Sequence, residues 1–339
     1  MTELPKPRPI REFTGIDRET FDHEIRPPGQ PAVLRGIGAD WPAVQAAKQS
    51  DEAIVDYLLG FAGRREVTTL VGAPEIEGRF FYTPDYQDLN FTRGRVPVEA
   101  FFERLLHDRG DPHPFSLAVQ SEVIPQSLPG FAEANGLDLV DPSVQPRIWI
   151  GNRIRVAPHY DLMENVGVVV CGRRRFTLFP PEQLPNLYIG PIELTPAGTP
   201  VSLVELDNPD LDRFPNYAEA AAHAQSAELD PGDGIYIPFH WWHGVDSLAL
   251  VNAFVNYWWN DAPKGLGGPY DALFHSLYAM RGLPPEQLAV WRMVFDNLVF
   301  NPGDPVAHLP PSAKGVLGPL DPERLGRMRA TLKQILGQL

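Results

Sequence analysis

Short apolar runs broken by Gly, Pro and Asp fill the middle of the chain, whereas runs with helical spacing lie in its first third and after residue 270. The short runs cover 147–155, 165–170, 175–179, 234–238 and 249–258, with a turn at Cys171-Gly172 between the second and third. Alternating or wholly apolar runs of this length, bounded by turn residues, read as strands of a sandwich or barrel. Asp230-Pro231-Gly232-Asp233 is a turn that leads into the fourth run, with Pro fixing φ at its second position and Gly free to turn left-handed at its third. The pattern predicts a mainly β fold: a double-stranded β-helix (jelly roll) core with flanking helices and a C-terminal helical tail.

The helical runs divide the chain. Residues 1–145 mix helices such as Asp51–Ala62 and Val98–His107 with short strands and are expected to wrap or extend the barrel, whose core is 146–262; together they form one domain over 1–270. Residues 181–225, holding Pro185, Asn186, Tyr188 and Tyr217, interrupt the core and are expected to wall or cover a site. In the tail, 271–339, Leu288, Trp291, Phe295 and Leu298 recur at helical spacing, as do Leu325, Met328, Leu332, Ile335 and Leu339. Asp321-Pro322 makes a good N-cap and first turn for the last helix. Such stripes either pack on their own domain or pair with a second copy.

Candidate chemistry sits at the strand boundaries. In His159-Tyr160-Asp161 an extended backbone puts the first and third side chains on one side, so both reach a single ion while Tyr160 faces away. A third ligand must come from a strand distant in sequence, and His243 in Ile-Pro-Phe-His-Trp-Trp-His stands where such a strand begins. Two imidazoles and one carboxylate on one face of a metal, with open positions opposite, are the donor set of non-haem Fe(II) oxygenases. Strand parity also groups Arg174 with Phe176 and Leu178, opposite Arg173, Arg175 and Thr177. Arg174 is then a buried cation awaiting an anion, or else all three arginines belong to a solvated basic strand.

These motifs together resemble the cupin-like branch of the Jumonji-C oxygenases. The resemblance is carried by Pro31-Ala32-Val33-Leu34-Arg35-Gly36 with Trp41-Pro42, the His159 motif with Asn165, Gly172-Arg173-Arg174-Arg175-Phe176 running to Pro181, and Pro231-Gly232-Asp233 through Trp242-His243 to Asn256-Tyr257-Trp258. It implies that His159, Asp161 and His243 bind Fe(II) and are catalytic. It places Arg174, where the family more often has Lys, on the far carboxylate of 2-oxoglutarate. Asn165 and Asn256 match cosubstrate-binding positions, though ordinary strand-end hydrogen bonding also accounts for them. Val156 stands where a family member has a Thr hydroxyl, so one cosubstrate hydrogen bond is missing or comes from elsewhere. His240 competes with His243 for the ligand role, but only His243 matches the family's Trp-His step. The activity implied is hydroxylation of a peptide or protein side chain or of a small molecule; the alternative is a non-catalytic metal-binding cupin that acts as a sensor or scaffold. Related oxygenases pair through C-terminal helices, which implies a homodimer. Trp241, Trp242 and Trp258 either line an entrance or belong to the core.

Composition narrows the partners. A hydrophobic content of 43% is that of a folded chain, and a formal charge of −14 argues against nucleic acid and anionic membranes as partners. The single Cys171 rules out an intramolecular disulfide and, with the absence of a secretory leader or membrane-length run, points to the cytoplasm.

Overall fold

In the computed structural model, residues 4–337 are described; Leu339, expected in the last apolar stripe, lies outside them. Eight strands form the barrel: β1 Arg147–Gly151, β2 Arg155–His159, β3 Glu164–Cys171, β4 Arg174–Phe179, β5 Gln225–Leu229, β6 Gly234–Ile237, β7 Trp242–Ser247 and β8 Asn252–Trp259. Except for β4 and β5, which pair in one sheet across the 181–225 insertion, consecutive strands alternate between two facing sheets, in the orders β6-β3-β8-β1 and β5-β4-β7-β2, all antiparallel. That alternation is the double-stranded β-helix. Segment 147–155 is two strands rather than one run, because Asn152 and Arg153 turn between them.

The N-terminal region extends the first sheet, one of the two roles expected of it. Ala32–Arg35 and Arg11–Thr14 add beyond β6, while Ser116–Val123, Glu66–Gly72 and Phe91–Pro97 add beyond β1. Helices Asp51–Ala62 and Val98–His107 carry Ile54, Leu58, Phe102 and Leu105 into one buried cluster with Val166, Val168 and Val170 of β3. The opposite face of β3 looks into the barrel, where Val169 packs with Phe176, Leu178, Ile235, Val245 and Phe254. A strand covered on both faces must be apolar at almost every position, which is why β3 reads as an unbroken run. Burying these side chains supplies on the order of 1.5–3 kcal/mol each, and this holds the frame around the site.

Two glycines are required by geometry. At Gly232 φ is +97°, and Asp233 N–H closes the turn on Asp230 O at 3.0 Å. The Asp233 carboxylate then accepts from Arg35 at 2.6 Å and from Gly36 N–H at 3.1 Å, tying the turn to the N-terminal segment. Gly167 faces the barrel interior, where a Cβ would fall inside the Phe254 ring.

Residues 261–339 form a separate compact unit from those up to Asn260. It contains helices Pro269–Met280, Pro285–Leu298 and Pro322–Leu336. The expected cap is present: Asp321 Oδ1 accepts from Arg324 N–H at 2.7 Å, with Pro322 opening the helix. Among its described residues only Val306 is buried.

Replacing Gly167 by Val should destabilise the barrel by about 1–3 kcal/mol, the usual cost of overpacking a core. Gly94, on an exposed strand with open space above it, should tolerate Ala within about 0.5 kcal/mol. Urea midpoints of the two variants check the contrast; similar midpoints would mean the Phe254 ring moves aside freely.

Candidate metal centre and anion site

Pairing of β2 with β7 sets His159 directly opposite His243, and the two rings stand 4.3 Å apart. A bulge in β7 just after His243 marks the place where the ladder gives way to the site. Asp161, two residues beyond His159, brings Oδ2 to 3.6 Å from His243 Nε2. One donor atom from each of the three residues lies within 4.8 Å of the others.

The imidazoles are fixed by their backbone partners. His159 Nδ1 lies 3.0 Å from Ala157 O and His243 Nδ1 lies 3.1 Å from Trp241 O. A carbonyl only accepts, so each ring keeps its proton on Nδ1 and offers the Nε2 lone pair to the centre. Burial, and next the neighbouring His243, push the His159 pKa down to about 4 against the pull of Asp161. The ring is therefore neutral at physiological pH, the form a metal needs. Asp161 Oδ2 is buried and has no hydrogen-bond partner among the described residues. Three inward donors, one an orphaned carboxylate oxygen, fit a divalent cation.

Arg174 is buried, 8% exposed, among Phe176 and other barrel residues, as its parity predicts. Its neighbours behave differently: Arg173 pairs with Asp230 at 2.8 Å, and Arg175 with Asp246 at 2.7 Å and Asp207 at 3.0 Å. Among the described residues no carboxylate pairs with Arg174 and its Nε has no partner. Its guanidinium carbon lies 5.0 Å from the centre of the Phe254 ring. Burial lowers its pKa to about 10, which leaves it charged. The solvated basic strand is therefore half right: it describes Arg173 and Arg175 only.

Arg174, Asn165, Asn256 and the three metal-type donors line one cavity of about 130 Å³, several times the volume needed for one water. Trp149 Nε1 donates to Asn256 Oδ1 at 2.8 Å, and Asn256 Nδ2 donates to Asn165 Oδ1 at 3.1 Å. This relay orients both amides and leaves the Asn165 NH₂ as its donor end. Strand-end bonding and a cavity role thus coexist. Trp258 lines the cavity, whereas Trp241 and Trp242 are core. His240 stands outside the triad, at φ +64° and stacked on Tyr160 at 4.0 Å. The insertion supplies a wall through Pro196, Ala197 and Val201, and Ser202 N–H bonds Pro158 O at 2.7 Å beside the first histidine. Sequence reasoning passed over Trp149, Phe254 and Ser247, although their alternate positions on β1, β8 and β7 carry the inward parity.

A family model for the cupin-like domain matches residues 18–265. The chain belongs to the cupin-like family. The chicken (Gallus gallus) tRNA wybutosine-synthesizing protein 5 is 27% identical over 276 residues, covering 75% of this chain and 78% of that protein. Lysine-specific demethylase 8 of Danio rerio is 28% identical over 76% of this chain and 60% of its own length. Lysine-specific demethylase JMJ31 of Arabidopsis thaliana is 34% identical over 74% of this chain and 50% of its own. The cupin-like match and these enzymes bear out the resemblance to the Jumonji-C oxygenases and, with it, an enzyme of that group.

The depressed His159 pKa has a consequence for stability. Between pH 6.5, the ordinary value, and about 4, the unfolded chain takes up a proton that folded His159 refuses, so metal-free protein loses stability as pH falls through that interval. His159→Leu removes this contribution, and its urea midpoint should fall less steeply from pH 6.5 to 4 than that of the parent. Equal slopes would show that the buried imidazole is not the titrating group.

Proposed function

We propose that this cupin-like oxygenase binds Fe(II) through His159, Asp161 and His243 and 2-oxoglutarate through Arg174, Asn165 and Asn256, and hydroxylates a peptide or protein side chain or a small molecule. The observation that carries this reading is the buried Arg174 without a carboxylate partner, in the same cavity as the three metal-type donors. Leaving a guanidinium desolvated and unpaired costs several kcal/mol, and a dicarboxylate spanning from the metal to Arg174 offsets that cost. Held by His159, Asp161, His243 and Arg174, Fe(II) and 2-oxoglutarate would supply the oxidising chemistry, in which dioxygen gives one oxygen atom to succinate, formed with carbon dioxide from 2-oxoglutarate, and the other to the substrate.

The chain's own residues orient and shield. The Nδ1–carbonyl bonds keep both imidazoles aimed inward, and the Trp149–Asn256–Asn165 relay presents an N–H donor to a carboxylate or keto oxygen. Phe176, Val245, Ala197 and Val201 keep the cavity apolar, which strengthens each polar contact within it.

The names of the relatives speak of tRNA on one side and lysine on the other, and a net charge of −14 argues against RNA. We assign peptide, protein or small-molecule substrates on that charge, and incubation with unmodified tRNA, read by nucleoside mass, is the opposing arm. No helix is long and apolar enough to cross a membrane. A buried free Cys171 suits the cytoplasm that we propose.

Dimerisation belongs to the same proposal. In the unit over 261–339, Leu332 is 52% exposed and Ile335 45%, while Leu325 and Met328 are half-buried. A unit this short with so little buried apolar surface gains its stability by pairing, and a second copy across a two-fold axis is the simplest partner. Leu332→Glu with Ile335→Glu should convert a dimer to monomer by light scattering; a parent protein already monomeric at micromolar concentration would contradict this.

Purified protein given Fe(II), 2-oxoglutarate and oxygen should form succinate, and the sensor or scaffold alternative predicts none. Arg174→Ala should raise the 2-oxoglutarate requirement by about 2–4 kcal/mol equivalent, the scale of losing one partner of a buried charge pair. Arg173→Ala and Arg175→Ala should leave it near the parent value. Equal losses in all three would reduce the site to a diffuse basic patch.

A further inference from the structure

The cavity has a second polar group at the level of Arg174. The β4–β7 ladder sets Ser247 directly across from Arg174, so their Cβ atoms are neighbours, about 4.5–5.5 Å apart by the usual spacing. Both side chains line the cavity, and Ser247 is 9% exposed. Its backbone N–H bonds Ile154 O at 2.8 Å, but no group among the described residues bonds its hydroxyl, and that oxygen is not sealed from the cavity. The nearby lining is apolar: Ile154, Val156, Phe176, Val245 and Phe254.

We propose that Ser247 is a second anchor of the cosubstrate, donating its O–H to the far carboxylate held by Arg174. The inference rests on the reading of Arg174 as that anchor. A carboxylate carries about four lone-pair sites, and a guanidinium fork fills two. In a water-poor cavity the remaining sites need neutral donors, and Val156 offers none. On β2, Val156 pairs with Val245, one inward step along β7 from Ser247. The hydroxyl that the resemblance places on β2 is thus supplied here from the adjoining strand, beside the arginine. A free hydroxyl on that wall is accounted for by a ligand that accepts from it.

The test uses the full chain loaded with Mn(II) under nitrogen, with 2-oxoglutarate binding followed by calorimetry, so that turnover plays no part. Ser247→Ala should weaken binding about tenfold, the scale of one hydrogen bond to a charged group. Ser247→Thr keeps the hydroxyl and should bind within about threefold of the parent, and Arg174→Ala should lose more than Ser247→Ala. Parent-like affinity in Ser247→Ala, with binding lost in Arg174→Ala, overturns this inference and leaves the anchor in place. Equal weakening of the Ala and Thr variants also overturns it, because packing rather than the donor would then be at stake. Parent-like affinity in both Ser247→Ala and Arg174→Ala overturns the anion site itself.

Discussion

A guanidinium buried in an apolar barrel without a carboxylate is the constraint on which the account of this molecule depends. Removing a charge from water costs several kcal/mol even after relaxation, and the Phe254 ring face returns only a fraction of that. The chain could have met the cost with an acid, as it does for Arg173 and Arg175 on the same strand. Instead, it gives Arg174 no acid among the described residues, in the cavity that also holds three metal-type donors. That uncompensated cost is what the proposed cosubstrate would offset.

Rigidity of the frame makes that geometry possible. His159 and His243 face each other because β2 and β7 are in register, and β4 continues the same sheet to bring Arg174 and Ser247 opposite each other deeper in the barrel. The spacing of His159, His243 and Arg174 is therefore set by strand ladders, which are held by the apolar clusters on either face of β3, while Asp161 lies two residues beyond the end of β2. The bulge after His243 and the left-handed His240 place local backbone strain at the rim of the site.

Much of this was legible in the sequence where a period-two rule sufficed. The pairing of His159 with Asp161 and the inward parity of Arg174 follow from alternation alone, and Pro231-Gly232 announces its turn through backbone chemistry. What alternation does not give is which strands are neighbours. Residues 147–155 read as one run because Gly151, Asn152 and Arg153 carry no Pro to break it. Strands 66–72 and 116–123 were hidden because they join the sheet edge through long-range pairing. The Trp149–Asn256–Asn165 relay depends on β1 and β3 both flanking β8, and the alignment of Ser247 with Arg174 depends on the β4–β7 register. Neither register is written in either strand by itself.

The most direct measurement is anomalous diffraction at the iron edge from crystals grown anaerobically with Fe(II) and 2-oxoglutarate. The account predicts one strong peak bounded by His159, Asp161 and His243, with electron density for a dicarboxylate running from it to Arg174. A peak elsewhere, or an Arg174 guanidinium paired with an acid of the protein while the dicarboxylate lies outside the barrel, would contradict it.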